Sequence, residues 1–431
     1  MADSKKVLIL TYYWPPSGGS GVQRWVYFAK YLKRLGWEPI VITVDETKAA
    51  YAVKDPSLED EVNGIRVVKT STREPLRWYS WLTTGHLTQG IPQGEVPTNS
   101  LFKKMAAYIR GNFFIPDARK GWVPFAVKAA SGLLKKEGIT HLITTGPPHS
   151  THLAGLHLKA KFTLNWWVDF RDPWSSVFYN QQMQRNARSD RRDRALELEV
   201  LTRADGVITT IGGSLHQDLR QKVSDQKLVA LPNGYDKALI DSCVGQPPDK
   251  AFHLVYTGLL TRQQAFGTIV AALQQLTGRR PIRFSLAGKM APDIVAEIKA
   301  ALPQVEVIDH GYLTHTDAVQ LMKSAHLLLN FIFKGAQKQM ISGKLLEYLS
   351  TEVPILSIGD PLSAAGQFLA QGSNAKMLAE EDHQGILTYV ENHYKGFGQK
   401  NIFPQLEQWS RLALTKRLIK EVLYIDGEDY L

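Results

Sequence analysis

Cysteine occurs once in the 431 residues, at Cys243, so no internal disulfide can form and a reducing compartment is expected. No group of His and Cys residues has the spacing of a zinc site, and the chain contains no Asp-x-Asp pair of the kind that holds a catalytic divalent ion. No apolar run approaches the roughly 18 residues that span a bilayer. The run near the start, Val7 to Leu10, is too short for the core of a signal peptide and is followed by no small-residue cleavage site. The expectation is a cytoplasmic protein whose membrane contact, if any, is peripheral. A Walker phosphate loop is absent, which argues against a nucleoside triphosphatase. Short-period repeats and low-complexity tracts are absent too.

What is present belongs to a packed globular protein: 44% hydrophobic residues, 21% charged residues and ten tryptophans. At about 150 residues per domain the length corresponds to two or three domains. Short β-branched apolar runs alternate with amphipathic helical stretches, the pattern of βα units that build parallel sheets. Strands are predicted at Val7–Thr11, Pro39–Val44, Ile65–Lys69, His141–Thr145, Asn165–Phe170 and Gly206–Thr210. A second series runs through Phe252–Tyr256, Arg283–Ala287, Val305–Asp309, Leu327–Ile332 and Pro354–Ser357. Single cores stop growing near 250–300 residues, so the expected fold class is α/β with two doubly wound domains. The turn cluster Leu231–Asp236 places a boundary near 236, giving domains over 1–236 and 237–400 and a helical segment over 401–431. An irregular, glycine- and proline-bearing insertion covers about 79–120.

The net charge is +10, and it is uneven. Residues 101–140 hold eight basic and two acidic residues, a net of six positive charges, interleaved with Leu101, Phe102, Met105, Tyr108, Ile109, Phe113 and Phe114. Such a segment suits an anionic membrane surface, with 101–136 as the contact; a solvated helix packed on its own domain reads equally well. Nucleic acid is disfavoured because no nucleic-acid-binding motif accompanies the charge.

Five segments carry candidate chemistry. Ser17-Gly-Gly-Ser-Gly21 follows the first strand and precedes a helix, where backbone amides favour a phosphate or an anionic transition state; a plain flexible turn, or a nicotinamide site using Asp45, are the alternatives. In Gly343-Lys-Leu-Leu-Glu347 the Lys344 and Glu347 side chains share a helix face. Glu347 can accept ribose hydroxyls and Lys344 can face phosphate, or the two form a surface ion pair. Arg262 ends Tyr256-Thr-Gly-Leu-Leu-Thr-Arg262, where open α/β sheets bind ligands, and is either a diphosphate clamp or a solvated side chain. Trp166-Trp-Val-Asp-Phe-Arg-Asp-Pro-Trp174 sets Asp169, Arg171 and Asp172 among aromatics, which suits a polyol or an internal ion network. His149, in Thr145-Gly-Pro-Pro-His-Ser150, is a substrate contact or a structural histidine.

Together with Trp14-Pro-Pro, Phe114–Trp122, Ala204-Asp205, Pro232–Asp236 and His310-Gly-Tyr312, these segments make the chain resemble family 4 of the GT-B glycosyltransferases over nearly its whole length, and most of all bacterial enzymes that build cell-surface polysaccharide or lipopolysaccharide. The resemblance implies two Rossmann-like domains facing a cleft, a nucleotide-sugar donor held by the C-terminal domain, a glycan or lipid-linked acceptor held by the N-terminal one, and a last helix crossing back. By position it assigns the ribose to Glu347, the diphosphate to Arg262 and the approach to the donor phosphates to Gly18 and Gly19; the reading of the residues themselves adds Lys344 and Gly343 to the donor set and gives the acceptor His149, Asp169, Arg171 and Asp172.

Two departures stand out. The family often carries a second glutamate where this chain has Gln339, and a Lys-Gly where it has Phe266-Gly267; Lys344 is the substitute charge. The implied reaction is retaining transfer without metal or other cofactor. Arg262, Lys344 and loop amides stabilise the leaving diphosphate, and Asp172 orients the acceptor. An epimerase of the same architecture and an inactive nucleotide-sugar-binding homologue are the alternatives. The expected location is the cytoplasm, peripheral to the inner face of the membrane.

Overall fold

A computed structural model describes residues 5–49, 51, 54–73, 108–176, 185–210, 214–223, 227–248, 250–276, 280–333, 341, 343–396 and 398–424. The sequence features at 79–107, Gln339 and Ser342 lie outside the described residues. The chain divides into two compact units, the first running to Pro232 and regaining the chain from Thr415, the second spanning Asn233–Leu414.

In the first unit, β1 (Lys6–Leu10), β2 (Glu38–Val44), β3 (Arg66–Thr70), β4 (His141–Gly146), β5 (Asn165–Phe170), β6 (Gly206–Thr209) and β7 (Lys227–Ala230) form one parallel sheet ordered β3-β2-β1-β4-β5-β6-β7. β4 and β6 are buried along their whole lengths, as expected where helices cover both faces of a parallel sheet. β1 pairs in register with both β2 and β4, Leu8 facing Ile40 on one side and Leu142 on the other. The strand order reverses between β1 and β4, and in open α/β sheets ligands bind beyond the carboxyl ends of the strands at such a point. Helices Ser20–Arg34 and Ser150–Lys159 start there, after β1 and β4. Trp14, Trp25, Trp122, Trp166 and Trp174 are fully buried, so half of the tryptophans in the sequence fill this unit; truncating one such side chain costs about 3–5 kcal/mol.

The second unit repeats the plan. β8 (Phe252–Thr257), β9 (Ile282–Ala287), β10 (Val305–Asp309), β11 (Leu327–Phe331), β12 (Ile355–Ile358) and β13 (Ala375–Leu378) form a parallel sheet ordered β10-β9-β8-β11-β12-β13, reversing between β8 and β11. Side chains alternate between faces along each strand. Phe252, Leu254 and Tyr256 enter a core with Ile269, Ile294 and Ile386, whereas Val255 enters the other with Val319, Leu345 and Leu349. Helix Gly343–Ser350 packs in this second core and lies between β11 and β12 in the chain.

The strands predicted from the sequence all form, with ends shifted by a residue or two. β7 and β13 were not predicted. Each is a four-residue edge strand, Lys-Leu-Val-Ala and Ala-Lys-Met-Leu, too short and too poor in β-branched residues for a clear period. Over 401–424 the segment is irregular at first, then a 3-10 turn at Leu406–Trp409, helix Arg411–Leu418 and a π turn at Ile419–Leu423. No helix among the described residues is long and apolar enough to cross a membrane.

Candidate functional site

In the second unit the carboxyl end of β8 and the helix Gly343–Ser350 meet at the sheet's reversal. Leu345, Leu346 and Leu349 are buried, which turns the Lys344 and Glu347 side of the helix away from the core. Tyr348 fixes the helix to β8: its hydroxyl accepts a hydrogen bond from the Thr257 amide at 2.8 Å. Lys344 Nζ then lies 4.3 Å from the centroid of the Tyr256 ring and 5.8 Å from that of Tyr348. Next to it is Gly258, with φ +125°; a Cβ there would stand 3.4 Å from Nζ. Among the described residues no carboxylate pairs with Lys344, and burial pushes its pKa down to about 7. A cation over aromatic faces with no counter-ion is a receptor for an anionic group.

Glu347 sits one turn on. His315 Nε2 donates to its Oε1 at 2.9 Å and Arg411 Nη2 donates to the same oxygen at 3.2 Å. Burial pushes the Glu347 carboxyl up, but His315 and Arg411 outweigh it and hold the pKa below the usual range. Oε2 has no partner among the described residues, so one ionised oxygen remains open to hydroxyl donors. Gly343 begins the helix beside Asn233, whose Nδ2 would be 3.2 Å from a Cβ at Gly343.

Arg262 is placed differently from its neighbours in the expected donor set. Its guanidinium is exposed and holds Asp293 at 2.8 Å and Glu297 at 2.6 Å, both on helix Pro292–Ala301. Two carboxylates already neutralise it, so an anion would have to displace them.

In the first unit, Gly18 and Gly19 lie partly exposed before helix Ser20–Arg34, Gly19 at φ +99° and with no side-chain cap on the helix and no acidic residue in its first turn. Arg171 leaves the end of β5 and reaches across to this loop. Its Nε donates to the Gly146 carbonyl at 3.0 Å, Nη2 to the Pro147 carbonyl, and Nη1 lies against Gly21. Asp172 follows it, partly exposed, its carboxylate without a hydrogen bond among the described residues. Burial raises its pKa and the Arg171 charge opposes the rise.

Asp169 is buried and engaged internally. Its oxygens accept from Arg24 Nε and Nη2 (2.8 Å at the closest), from Trp25 Nε1 at 2.6 Å and from Thr145 Oγ1 at 2.7 Å, and both members of the Arg24 pair are fully buried. The expected acceptor contact therefore gives way to the internal ion network, because every oxygen of the carboxylate is already engaged. His149 is buried too: its ring stacks on Trp174 at 5.1 Å and 10°, and neither nitrogen meets the criteria for a hydrogen bond among the described residues. Burial, with the neighbouring His152, drives its pKa well below the ordinary value. An uncharged imidazole inside an aromatic stack is the arrangement of a packing residue.

His315, Arg411 and Arg24 were not singled out in the sequence. Nothing in their spacing announces them, since each acts across 32 or more positions.

No known family's sequence profile matches the chain, and no characterised protein aligns with it by sequence. Solved structures do match. Sucrose-phosphate synthase from Thermosynechococcus elongatus superposes with a TM-score of 0.57 at 13% identity, covering 97% of this chain and 94% of that one. The lipopolysaccharide outer core galactosyltransferase WaaB gives 0.55 at 14%, with 97% and 99% covered. HepE from Anabaena, solved with UDP and glucose, gives 0.55 at 12%, with 97% and 95% covered. A putative UDP-N-acetylglucosamine 2-epimerase from Listeria monocytogenes has the same architecture, at 0.53 and 10% over 99% and 100%. With two parallel α/β sheets, each reversing its strand order beside its first strand, the chain has the GT-B fold, and its structural neighbours are mostly glycosyltransferases.

Proposed function

We propose that the protein is a retaining glycosyltransferase of family 4 type that moves a sugar from a nucleotide-sugar donor to a glycan or lipid-linked acceptor in the synthesis of cell-surface polysaccharide or lipopolysaccharide. The observation that carries the reading is the pairing, one helical turn apart, of the unopposed Lys344 ammonium and the half-open Glu347 carboxylate at the reversal of the second sheet. One group suits a diphosphate and the other the ribose diol of the same molecule. Among similar structures, HepE has been solved with UDP and with UDP-glucose, and WaaB is a lipopolysaccharide outer core galactosyltransferase.

In the proposed reaction the bond between the sugar's anomeric carbon and the diphosphate oxygen breaks, its electron pair staying on the diphosphate. The acceptor oxygen bonds to the same face of that carbon, and its proton passes to the departing phosphate oxygen. Lys344 and the amides at Gly343 stabilise the charge that grows on the leaving group. Gly18 and Gly19 are assigned to the donor phosphates and Arg171 to the acceptor. Arg262 joins only on release from Asp293 and Glu297, and Asp172 orients the acceptor. No metal or organic cofactor is assigned a role.

Peripheral contact with anionic lipid is part of the reading. Residues 108–113 are helical, with Tyr108, Ile109 and Phe113 exposed. Asn112 is tied to Asn186 and Ser189, which brings the exposed Arg188, Arg191 and Arg192 beside them. Burial and the nearby Arg192 lower the Lys120 pKa, as expected within a basic cluster.

The decisive experiment incubates the protein with UDP-, GDP-, ADP- and dTDP-sugars and follows nucleotide release with and without acceptor, with EDTA in a parallel arm. Release that survives EDTA and is lost in Glu347→Ala supports the reading. Loss on chelation sinks the metal-free scheme, and conversion of the sugar nucleotide without acceptor turns the assignment to the epimerase shared by the architecture. Sedimentation with anionic vesicles at low salt tests the membrane contact.

A further inference from the structure

Glu347 is held on one side only. Both hydrogen bonds, from His315 Nε2 at 2.9 Å and Arg411 Nη2 at 3.2 Å, converge on Oε1, while Oε2 is open among the described residues. A carboxylate on a flexible side chain ordinarily samples several rotamers and offers either oxygen. Here a rigid imidazole and a planar guanidinium pin one oxygen, so the other is offered in one direction only. Of the pinning groups Arg411 is buried, at 5% exposed, and His315 nearly so, its side chain 11% exposed. Since a carboxylate can only accept, His315 Nε2 must carry the hydrogen.

Arg411 has a particular anchorage. Its amide donates to the Tyr235 carbonyl at 2.9 Å, and Ser410 bridges Tyr235. Two residues before Tyr235, Asn233 lies against Gly343. The segments by which the chain enters and leaves the second unit therefore brace the two ends of one helical stretch, Asn233 at Gly343 and Arg411 at Glu347.

We infer that His315 and Arg411 are positioning residues for nucleotide binding, aiming Glu347 Oε2 at a vicinal ribose diol so that the site discriminates ribonucleotides from their 2′-deoxy counterparts. The inference rests on the assignment of the donor nucleotide to this helix. Loss of either brace frees the carboxylate to rotate, so the diol contact weakens and the discrimination narrows. A hydrogen bond to a charged group governs roughly a tenfold change in affinity or more.

Calorimetry with UDP, GDP and ADP and with dUDP, dGDP and dADP tests it. The wild-type protein is expected to bind one ribonucleotide pair member about tenfold more tightly than its deoxy partner. His315→Leu and Arg411→Leu should each bring that ratio towards one, and His315→Gln, which keeps a donor, should restore most of it. In a Glu347→Ala background neither leucine variant should weaken binding further. Arg411→Lys and thermal melting of every variant separate a folding defect from a positioning defect. If His315→Leu and Arg411→Leu weaken ribo- and deoxynucleotides equally, or weaken binding additively with Glu347→Ala, the inference is overturned while the donor assignment stands. If the wild-type protein binds none of the six nucleotides, the donor assignment falls and this inference with it.

Discussion

The guanidinium of Arg171 fills the place that a side chain on Gly21 would take: a Cβ on Gly21 would stand 2.1 Å from Arg171 Nη1. The glycine at the third position of Gly19-Ser-Gly21 thus leaves room for an arginine from the end of β5, 150 residues away in the chain. Gly21→Ala should push the guanidinium off the Gly146 and Pro147 carbonyls. Those charge-assisted bonds are each worth about 1.5–3 kcal/mol, so a loss of that order is expected in urea unfolding. Arg171→Ala should make the alanine at 21 nearly free of further cost, and additive losses in the double variant would show that the contact is not the cause.

The chemistry of β5 was legible in the sequence only as a group. Asp169, Arg171 and Asp172 stand within four positions, and strand alternation says that neighbours point apart. It does not say that Arg24, on the helix after β1, reaches Asp169. Such pairs are fixed by which strand lies next to which, and the order β3-β2-β1-β4-β5-β6-β7 is a global property with no local signature. The same holds for Glu347: its helix face followed from Leu345, Leu346 and Leu349, whereas His315 and Arg411 arrive from other elements. What the local period determines, namely eleven of the thirteen strands and the exposed side of the helix Gly343–Ser350, could be read directly; the short edge strands β7 and β13 could not.

His149→Phe distinguishes packing from ligation. The imidazole is buried, stacked on Trp174 and without a hydrogen-bond partner among the described residues. Replacing it with a phenyl ring removes two unsatisfied nitrogens and keeps the stack, so stability should hold or rise by about 1 kcal/mol. Transfer activity should remain within a few-fold of wild type. An unchanged melting temperature with activity lost would instead return His149 to the acceptor site.

Asp172 gives a pH signature. Its folded pKa is raised above the ordinary 3.8 by burial, against the opposing charge of Arg171. Below the ordinary value both folded and unfolded chains hold the proton and the residue is neutral to stability. As pH rises from there to the raised value the unfolded chain ionises while the folded one keeps its proton, so stability declines across that window and stays lower above it. Asp172→Asn cannot ionise and should be no more stable than wild type near pH 3 but more stable near pH 7. Chemical denaturation at a series of pH values reads the difference, and a difference that does not change with pH counts against the raised carboxyl.

Lys344 should make diphosphate binding depend on pH in the opposite region. In the free protein its pKa is lowered by burial to about 7, so above neutrality the ammonium that faces the ligand must be regained by proton uptake. A bound diphosphate favours the charged form and raises the pKa in the complex. Between the two values affinity should fall by up to about tenfold per pH unit as pH rises. Calorimetry of UDP, GDP or ADP at pH 8.5 in buffers of different ionisation enthalpy should show close to one proton taken up per nucleotide, and little at pH 6. Lys344→Met should bind more weakly at pH 6 and lose this pH dependence, while Lys344→Arg, charged throughout, should keep the charge but show no uptake. Full proton uptake persisting in Lys344→Met would assign the titrating group elsewhere in the site, and its absence in the wild-type protein would mean that the ammonium is already charged over Tyr256.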